Sequence, residues 1–122
     1  MIVESGPVRV DITGLRAGDR NEMLLTITSG GAPKDCTDAV VRAQARSSAS
    51  SKQKIDAVIT AQDASKGQFL LSWPGDQVRT ALAGKDYWSG VWDCELLEEG
   101  QTVPVTVAAG EISAVMDVTR DS

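Results

Sequence analysis

The chain has 122 residues, of which 42% are hydrophobic and 24% charged, and its formal net charge is −5. This length suits one compact domain, so we expect a single domain over residues 1–122, with residues 1–17 as a possible N-terminal arm or extra strand. The acidic balance argues against nucleic acid and against an anionic membrane surface as partners, and no apolar run approaches the roughly twenty residues that span a bilayer.

The chain contains no histidine. Histidine is the commonest general base near neutral pH and the commonest transition-metal ligand. A Ser-His-Asp or Cys-His arrangement is therefore excluded, and two cysteines alone cannot complete a zinc site. We expect no enzyme and no cofactor. Because the N-terminus lacks a signal-peptide pattern, we expect Cys36 and Cys94 to be reduced thiols that pack as small hydrophobic residues.

Alternation of apolar and polar residues dominates the first half of the chain and predicts β-strands. Residues 41–46 show it clearly, with Val or Ala at odd positions and Arg or Gln at even positions, the pattern of an antiparallel strand with one buried face. The predicted strands of this half span residues 8–12, 22–28, 38–46 and 55–62. The predicted turns and loops between them, rich in Gly, Pro, Asp and Ser, span residues 14–19, 29–35 and 47–54.

Residues 68–73 form a further predicted strand. The pattern then changes, because Val78 and Leu82 recur at helical spacing and Gly84 is a suitable C-terminal stop. We therefore predict one short helix near residues 75–83 that crosses from one sheet to the other.

The end of the chain returns to alternation and predicts strands at residues 87–97, 102–109 and 111–120. Pro104 places the second of these near a sheet edge, and the close spacing leaves open whether the last two are one bent strand or two. The whole pattern, about seven to nine short strands and one short helix, predicts an all-β fold, an antiparallel immunoglobulin-like β-sandwich.

Three of the four Trp and Tyr residues lie close together: Tyr87, Trp88 and Trp92. In an extended strand the two indoles share an uncharged face with Gly90, whereas Tyr87 lies on the face that carries carboxylates. We interpret both indoles as core residues, each able to bury ~150–250 Å², with Gly90 making room for one of them or marking a bulge. The alternative is an exposed aromatic platform that binds sugar rings, with Tyr87 as the binding residue.

The acidic residues do not form a recognisable site. Asp93 and Glu95 are paired carboxylates, but a glycosidase pair must be opposed across a cleft, and the sequence does not indicate one. Asp35 and Asp38 match no EF-hand spacing, and a turn or cap suits them better. We therefore name no catalytic, cofactor-binding or metal-binding residue.

Several short patterns follow one another in a fixed order over residues 18–120. They are Gly18-Asp19, Pro33 with Asp35 and Thr37, Arg42 with Arg46, Gly67 with Phe69, Leu82 with Gly84, Tyr87, Trp92-Asp93 with Glu95, and Val118-Thr119-Arg120. This ordered set resembles a family of small bacteriophage β-sandwich modules found in tail and baseplate proteins, including the N-terminal part of the baseplate upper protein of lactococcal phages. The chain departs from the family pattern at Cys36 and Cys94, where larger aliphatic residues are expected.

The resemblance implies a non-enzymatic virion structural protein, made in the host bacterial cytoplasm, that acts as an adaptor or assembly component of the tail, baseplate or connector. It implies docking on other phage structural proteins through sheet edges and loops, and a homo-oligomer is expected because such assemblies are symmetric. A capsid decoration protein on the head is the alternative within this class. From another class, the alternative is a carbohydrate-binding module that engages host glycan through Tyr87.

Overall fold

The computed structural model describes residues 1–4, 8–48 and 50–116. Within them the chain forms eleven β-strands, a short 3₁₀ helix at Ala64–Lys66 and one α-helix, α1, at Gly75–Leu82. The strands are β1 Ile2–Glu4, β2 Val8–Arg9, β3 Ile12–Arg16, β4 Asn21–Ser29, β5 Ala32–Pro33, β6 Val40–Arg46, β7 Lys54–Asp56, β8 Val58–Asp63, β9 Gln68–Trp73, β10 Tyr87–Leu97 and β11 Val105–Val115.

The strands form two sheets. Sheet A has the order β1-β4-β9-β8, with β5 also pairing with β4, and sheet B has the order β2-β11-β10-β6-β7, with β3 also pairing with β11. Buried hydrophobic side chains from both sheets and from α1 form one cluster, as expected where two sheets pack face to face. The predicted all-β sandwich is confirmed.

Helix α1 connects the two sheets as predicted, because it follows β9 of sheet A and precedes β10 of sheet B. Val78 and Leu82, the residues at helical spacing, are both buried. Ala83 and Gly84 adopt left-handed backbone conformations, with φ of 52° and 82°, and such residues end a helix. The predicted helix near residues 75–83 is confirmed to within one residue.

Parallel pairing is the main departure from the predicted antiparallel sandwich. Strand β1 runs parallel to β4, and β2 and β3 run parallel to β11. All three lie within residues 1–17, the segment expected to be an arm or extra strand. Strand β1 joins sheet A, and β2 and β3 join sheet B. No hairpin turn joins any of these strands to its partner, so the antiparallel direction that a hairpin imposes does not apply to them.

Two of the predicted strands are interrupted. The predicted strand 55–62 divides at Ala57, whose N–H donates to the Ala43 carbonyl oxygen (3.0 Å), so that β7 lies in sheet B and β8 in sheet A. The predicted strand 8–12 is likewise divided between β2 and β3. The alternation of residues cannot reveal a change of sheet, because both halves of such a strand still present one face to the same core.

The last two predicted strands, 102–109 and 111–120, form the single strand β11 as far as the structure describes them, which was one of the two alternatives. Gly110 does not interrupt this strand, since it keeps its place in the ladder with β10. Pro104 lies just before β11 rather than within it. The Val118-Thr119-Arg120 step lies outside the described residues.

Two indoles link the sheets at the centre of the core. Trp73 of sheet A and Trp92 of sheet B are 0% and 3% exposed. Their ring centroids are 6.1 Å apart and the ring planes are at 89°, an edge-to-face arrangement favoured by the charge distribution of aromatic rings. The predicted core role of Trp92 is confirmed.

Trp88 is only half-buried, so the predicted core role of this residue is wrong in part. Its indole packs against the core and lies over Gly90, where a Cβ would come within 2.8 Å of a Trp88 ring carbon and would overlap the Arg46 carbonyl oxygen. The expectation that Gly90 makes room for an indole is confirmed. Strand β6 pairs with β10 only over Val91–Leu97, so it does not extend far enough along β10 to cover Trp88.

Both cysteines are free and buried, which confirms the prediction of reduced thiols in the core. Burial raises the pKa of the Cys94 thiol to about 12, and burial also raises the pKa of Cys36. The thiolate is the reactive form of cysteine, so both residues act as small hydrophobic side chains.

The indole of Trp92 also holds the N-terminal segment against β11. Its Nε1 donates a hydrogen bond of 2.7 Å to the Val10 carbonyl oxygen, and the Val10 N–H donates to the Ala109 carbonyl oxygen (3.0 Å). Gly110 lies directly opposite Trp92 in the ladder, and a Cβ there would overlap the Val10 carbonyl oxygen. The missing side chain therefore lets the N-terminal segment come close enough to bond the indole.

A carboxylate completes the hydrogen bonding where the chain breaks between β2 and β3. Asp11 Oδ1 accepts a hydrogen bond of 2.9 Å from the Glu111 N–H, and the same oxygen lies 3.3 Å from Arg9 Nη2. A side-chain oxygen thus takes the place of the backbone carbonyl that a regular strand would supply to the Glu111 N–H.

We predict that Gly110→Ala lowers the free energy of unfolding by about 1–3 kcal/mol, the usual cost of adding atoms to a filled interior. Urea denaturation followed by tryptophan fluorescence measures it. The matched control is Ala109→Ser, which also adds one heavy atom but on the outer face of the same strand, and which should leave stability nearly unchanged. Equal stabilities for Gly110→Ala and the original chain would show that the Val10 contact is not tight.

Candidate interaction surface

A groove of about 700 Å³ lies on the outer face of sheet B, lined by residues of β2, β6, β10 and β11. We call it the outer groove. Strand alternation places its side chains, because Arg42, Gln44, Arg46, Asp93 and Glu95 face away from the core while the residues between them are buried. Its charged lining residues are Arg9, Arg42, Arg46, Asp93, Glu95 and Glu111.

Each guanidinium of the outer groove already has a partner within the chain. Arg42 Nη2 lies 3.3 Å from Glu95 Oε2, directly across the β6–β10 ladder. Arg46 donates to the Ser51 carbonyl oxygen at 2.5 Å and to Gln44 Oε1 at 3.3 Å, and Arg9 pairs with Asp11 as described above. The Arg9 and Arg42 contacts are surface ion pairs, because these side chains are 70% and 67% exposed.

Asp93 lies between them and differs in having no such partner. It forms no hydrogen bond or ion pair with any residue that the structure describes. Burial raises the pKa of its carboxyl group and the Glu95 carboxylate raises it further, whereas Arg46 and Arg42 oppose the shift. The groove therefore holds, in Asp93, a carboxylate whose oxygens can accept hydrogen bonds from another molecule. Glu111, whose backbone N–H bonds Asp11, likewise has no side-chain bond to a described residue.

The two carboxylates noted in the sequence, Asp93 and Glu95, lie side by side on the outer face of β10. Glu95 is paired with Arg42, and Asp93 and Glu95 lie on the same strand, so these two carboxylates do not face each other across the groove as a glycosidase pair does.

Tyr87 is 59% exposed and borders a second depression of about 390 Å³, together with Ser89 and Ser113. The aromatic rings of Trp88 and Trp92 lie on the opposite face of β10, toward the core. Among the described residues no second aromatic ring therefore stands beside Tyr87. Its proposed role in binding glycan stays a prediction.

Asp35 acts in a turn, as its sequence context suggested. Its Oδ1 accepts hydrogen bonds from the Thr37 N–H at 3.0 Å and the Thr37 hydroxyl at 2.5 Å, and these bonds lower the pKa of the Asp35 carboxyl group. In the part of the chain that the structure describes, no three His, Cys, Asp or Glu side chains are grouped to hold a metal ion. Likewise, no helix in that part is long and apolar enough to cross a membrane.

Sequence reasoning did not identify the outer groove. The alternation over residues 41–46 placed Arg42 and Arg46 on an exposed face, and that much is correct. The pairing of β6 with β10, which brings Arg42 to a glutamate 53 positions away, has no local signal. Arg9 joins the groove through the parallel β2–β11 pairing, which the sequence did not predict.

We predict that Asp93→Asn stabilises the protein at pH 7 by less than about 1 kcal/mol. Because the folded-state pKa of Asp93 is raised, ionisation of this group opposes folding, and the opposition is absent below the ordinary Asp pKa. The gain in the free energy of unfolding of Asp93→Asn over the original chain should therefore be near zero at about pH 3.5. It should grow as the pH rises through the raised pKa. Urea denaturation across that pH range measures it.

The matched control for this experiment is Asp38→Asn, which removes an exposed carboxylate outside the outer groove. An advantage of Asp93→Asn that stayed constant with pH would show that the pKa of Asp93 is not raised. A loss of stability at pH 7 would show that the carboxylate has a favourable partner.

Comparison with known proteins identifies the fold. No protein-family model matches the chain, and no curated protein matches it. Among solved structures, the chain is similar to the N-terminal domain of phage TP901-1 ORF48, with a TM-score of 0.50 and 12% sequence identity over 96% of this chain and 99% of that one. At this identity the similarity shows the fold alone. The resemblance to phage β-sandwich modules, stated from the sequence, is confirmed at that level.

Proposed function

We propose that the chain is a non-enzymatic structural component of a phage virion, an adaptor or assembly protein of the tail, baseplate or connector. The fold similarity to a phage domain carries this proposal, because it extends over 96% of this chain and 99% of the phage domain. A similarity of this extent concerns the whole sandwich of both chains and not a single shared hairpin.

The outer groove is the surface that we propose for docking on other phage structural proteins. Its three arginines are balanced by Asp93, Glu95 and Glu111, so its lining carries no net charge. Mixed charges of this kind favour specific orientation of a protein partner over simple attraction.

The location of the chain in phage particles tests the proposed function. Phage grown with an epitope-tagged copy are purified, and heads and tails are separated and probed by immunoblot and immunogold labelling. We expect the tag in the tail fraction. Labelling on heads would support the capsid decoration alternative instead. Absence from purified particles, despite abundant chain in the infected cells, would contradict a virion role.

We further predict that Asp93→Lys lowers incorporation of the chain into particles by at least about tenfold, because a cation replaces an unpaired acceptor of the outer groove and repels the partner's donor. The number of copies per particle is measured by quantitative immunoblot in phage that lack the original gene. The matched control is Glu22→Lys, the same charge reversal at an exposed position of sheet A. Normal incorporation of the Asp93 variant would exclude the groove as the docking surface.

A further inference from the structure

Strand β8 is an open edge of sheet A. It pairs with β9 on one side, and no described residue pairs with its other side. Val58, Thr60, Ala61 and Gln62 are exposed, and Ile59 is half-buried. The unpaired N–H and C=O groups of such an edge form a template on which another strand can add.

The other sheet edges are shorter or shift register along their length, whereas β8 offers a longer regular stretch. Strands β1 and β7 are three residues long and β2 is two, and β3 shifts register against β11. Strand β8 has six residues, and its segment 58–62 contains no charge, proline or glycine. Its one register shift lies between Ala61 and Asp63, so Val58–Ala61 is regular. Proteins usually block edges of this kind, and an unblocked one indicates an occupant.

The charge distribution at this edge favours a second copy of the chain. When a strand pairs antiparallel with its own copy, a charge near the two-fold axis meets a like charge, which destabilises the pair. Segment 58–62 is free of that cost. The charges that flank it are already paired, Lys54 with Asp56 (3.8 Å) and Lys66 with Asp63 (4.0 Å), so the edge is neutral although the chain carries −5. A basic or acidic partner would find no opposite charge here.

We propose that two copies of this chain pair antiparallel through β8 about a two-fold axis at Thr60, which joins the two A sheets into one. Thr60 then faces Thr60 of the partner subunit, a pairing that stabilises antiparallel sheets. Ile59 is then opposite Ala61 of the partner subunit, within the regular stretch Val58–Ala61. The pairing does not depend on the virion role, and it uses no residue of the outer groove.

The test uses two opposite charges at the proposed axis. Light scattering and sedimentation equilibrium over a wide concentration range should show a monomer–dimer equilibrium for the original chain. Thr60→Lys and Thr60→Glu should each weaken dimerisation at least tenfold, because like charges then meet at the axis. An equimolar mixture of the two variants should restore the dimer, because opposite charges meet there instead.

The matched control is Thr13→Lys, the same substitution at an exposed strand position of sheet B, which should dimerise like the original chain. Thermal unfolding of every variant checks that the fold is kept. A chain that stays monomeric at all concentrations overturns the proposal. The proposal is also overturned if both Thr60 variants dimerise as tightly as the original chain, or if their mixture dimerises no better than either variant alone.

Discussion

The hydrogen bond from the Trp92 indole to the Val10 carbonyl oxygen is the contact on which the rest of the fold depends. Trp92 touches sheet A through the edge-to-face contact with Trp73, and it touches the N-terminal segment through Val10. A buried donor without an acceptor costs about 1–3 kcal/mol, and the Trp73 N–H is buried with no hydrogen-bond partner among the described residues. Only one of the two central indoles is thus satisfied, and it is satisfied because Gly110 leaves space for Val10.

This contact in the core also builds the outer groove. The chain that passes over Gly110 carries β2, which places Arg9 along one wall, while β6 supplies the opposite wall. Strand β10 lies between these two walls. Trp92 and Cys94 are buried on its core face, and Asp93 lies on its outer face, in the groove. A change that displaces the N-terminal segment would therefore open the groove as well as weaken the core.

Elements defined by local patterns could be predicted from the sequence, whereas elements defined by distant contacts could not. The strands at Gln68–Trp73 and Tyr87–Leu97 have the predicted bounds, because alternation and turn residues mark both ends. The change of sheet at Ala57 and the parallel N-terminal strands depend on which strands become neighbours. The alternation of apolar and polar residues gives no information about strand neighbours. The groove could not be predicted at all, since its ion pair between strands, Arg42 with Glu95, exists only once the register of two distant segments is set.

The chain places its neutral edge and its charged groove on different sheets, and the separation has a physical consequence. Association of identical surfaces is easiest where there is no charge, as along β8, whereas recognition of a different partner gains orientation from fixed charges, as in the groove. Because the groove lies on sheet B and β8 belongs to sheet A, neither contact needs the other's residues. Two chains joined at β8 would then offer two grooves in a fixed relation, and a partner that reaches both would bind more tightly than either groove alone allows.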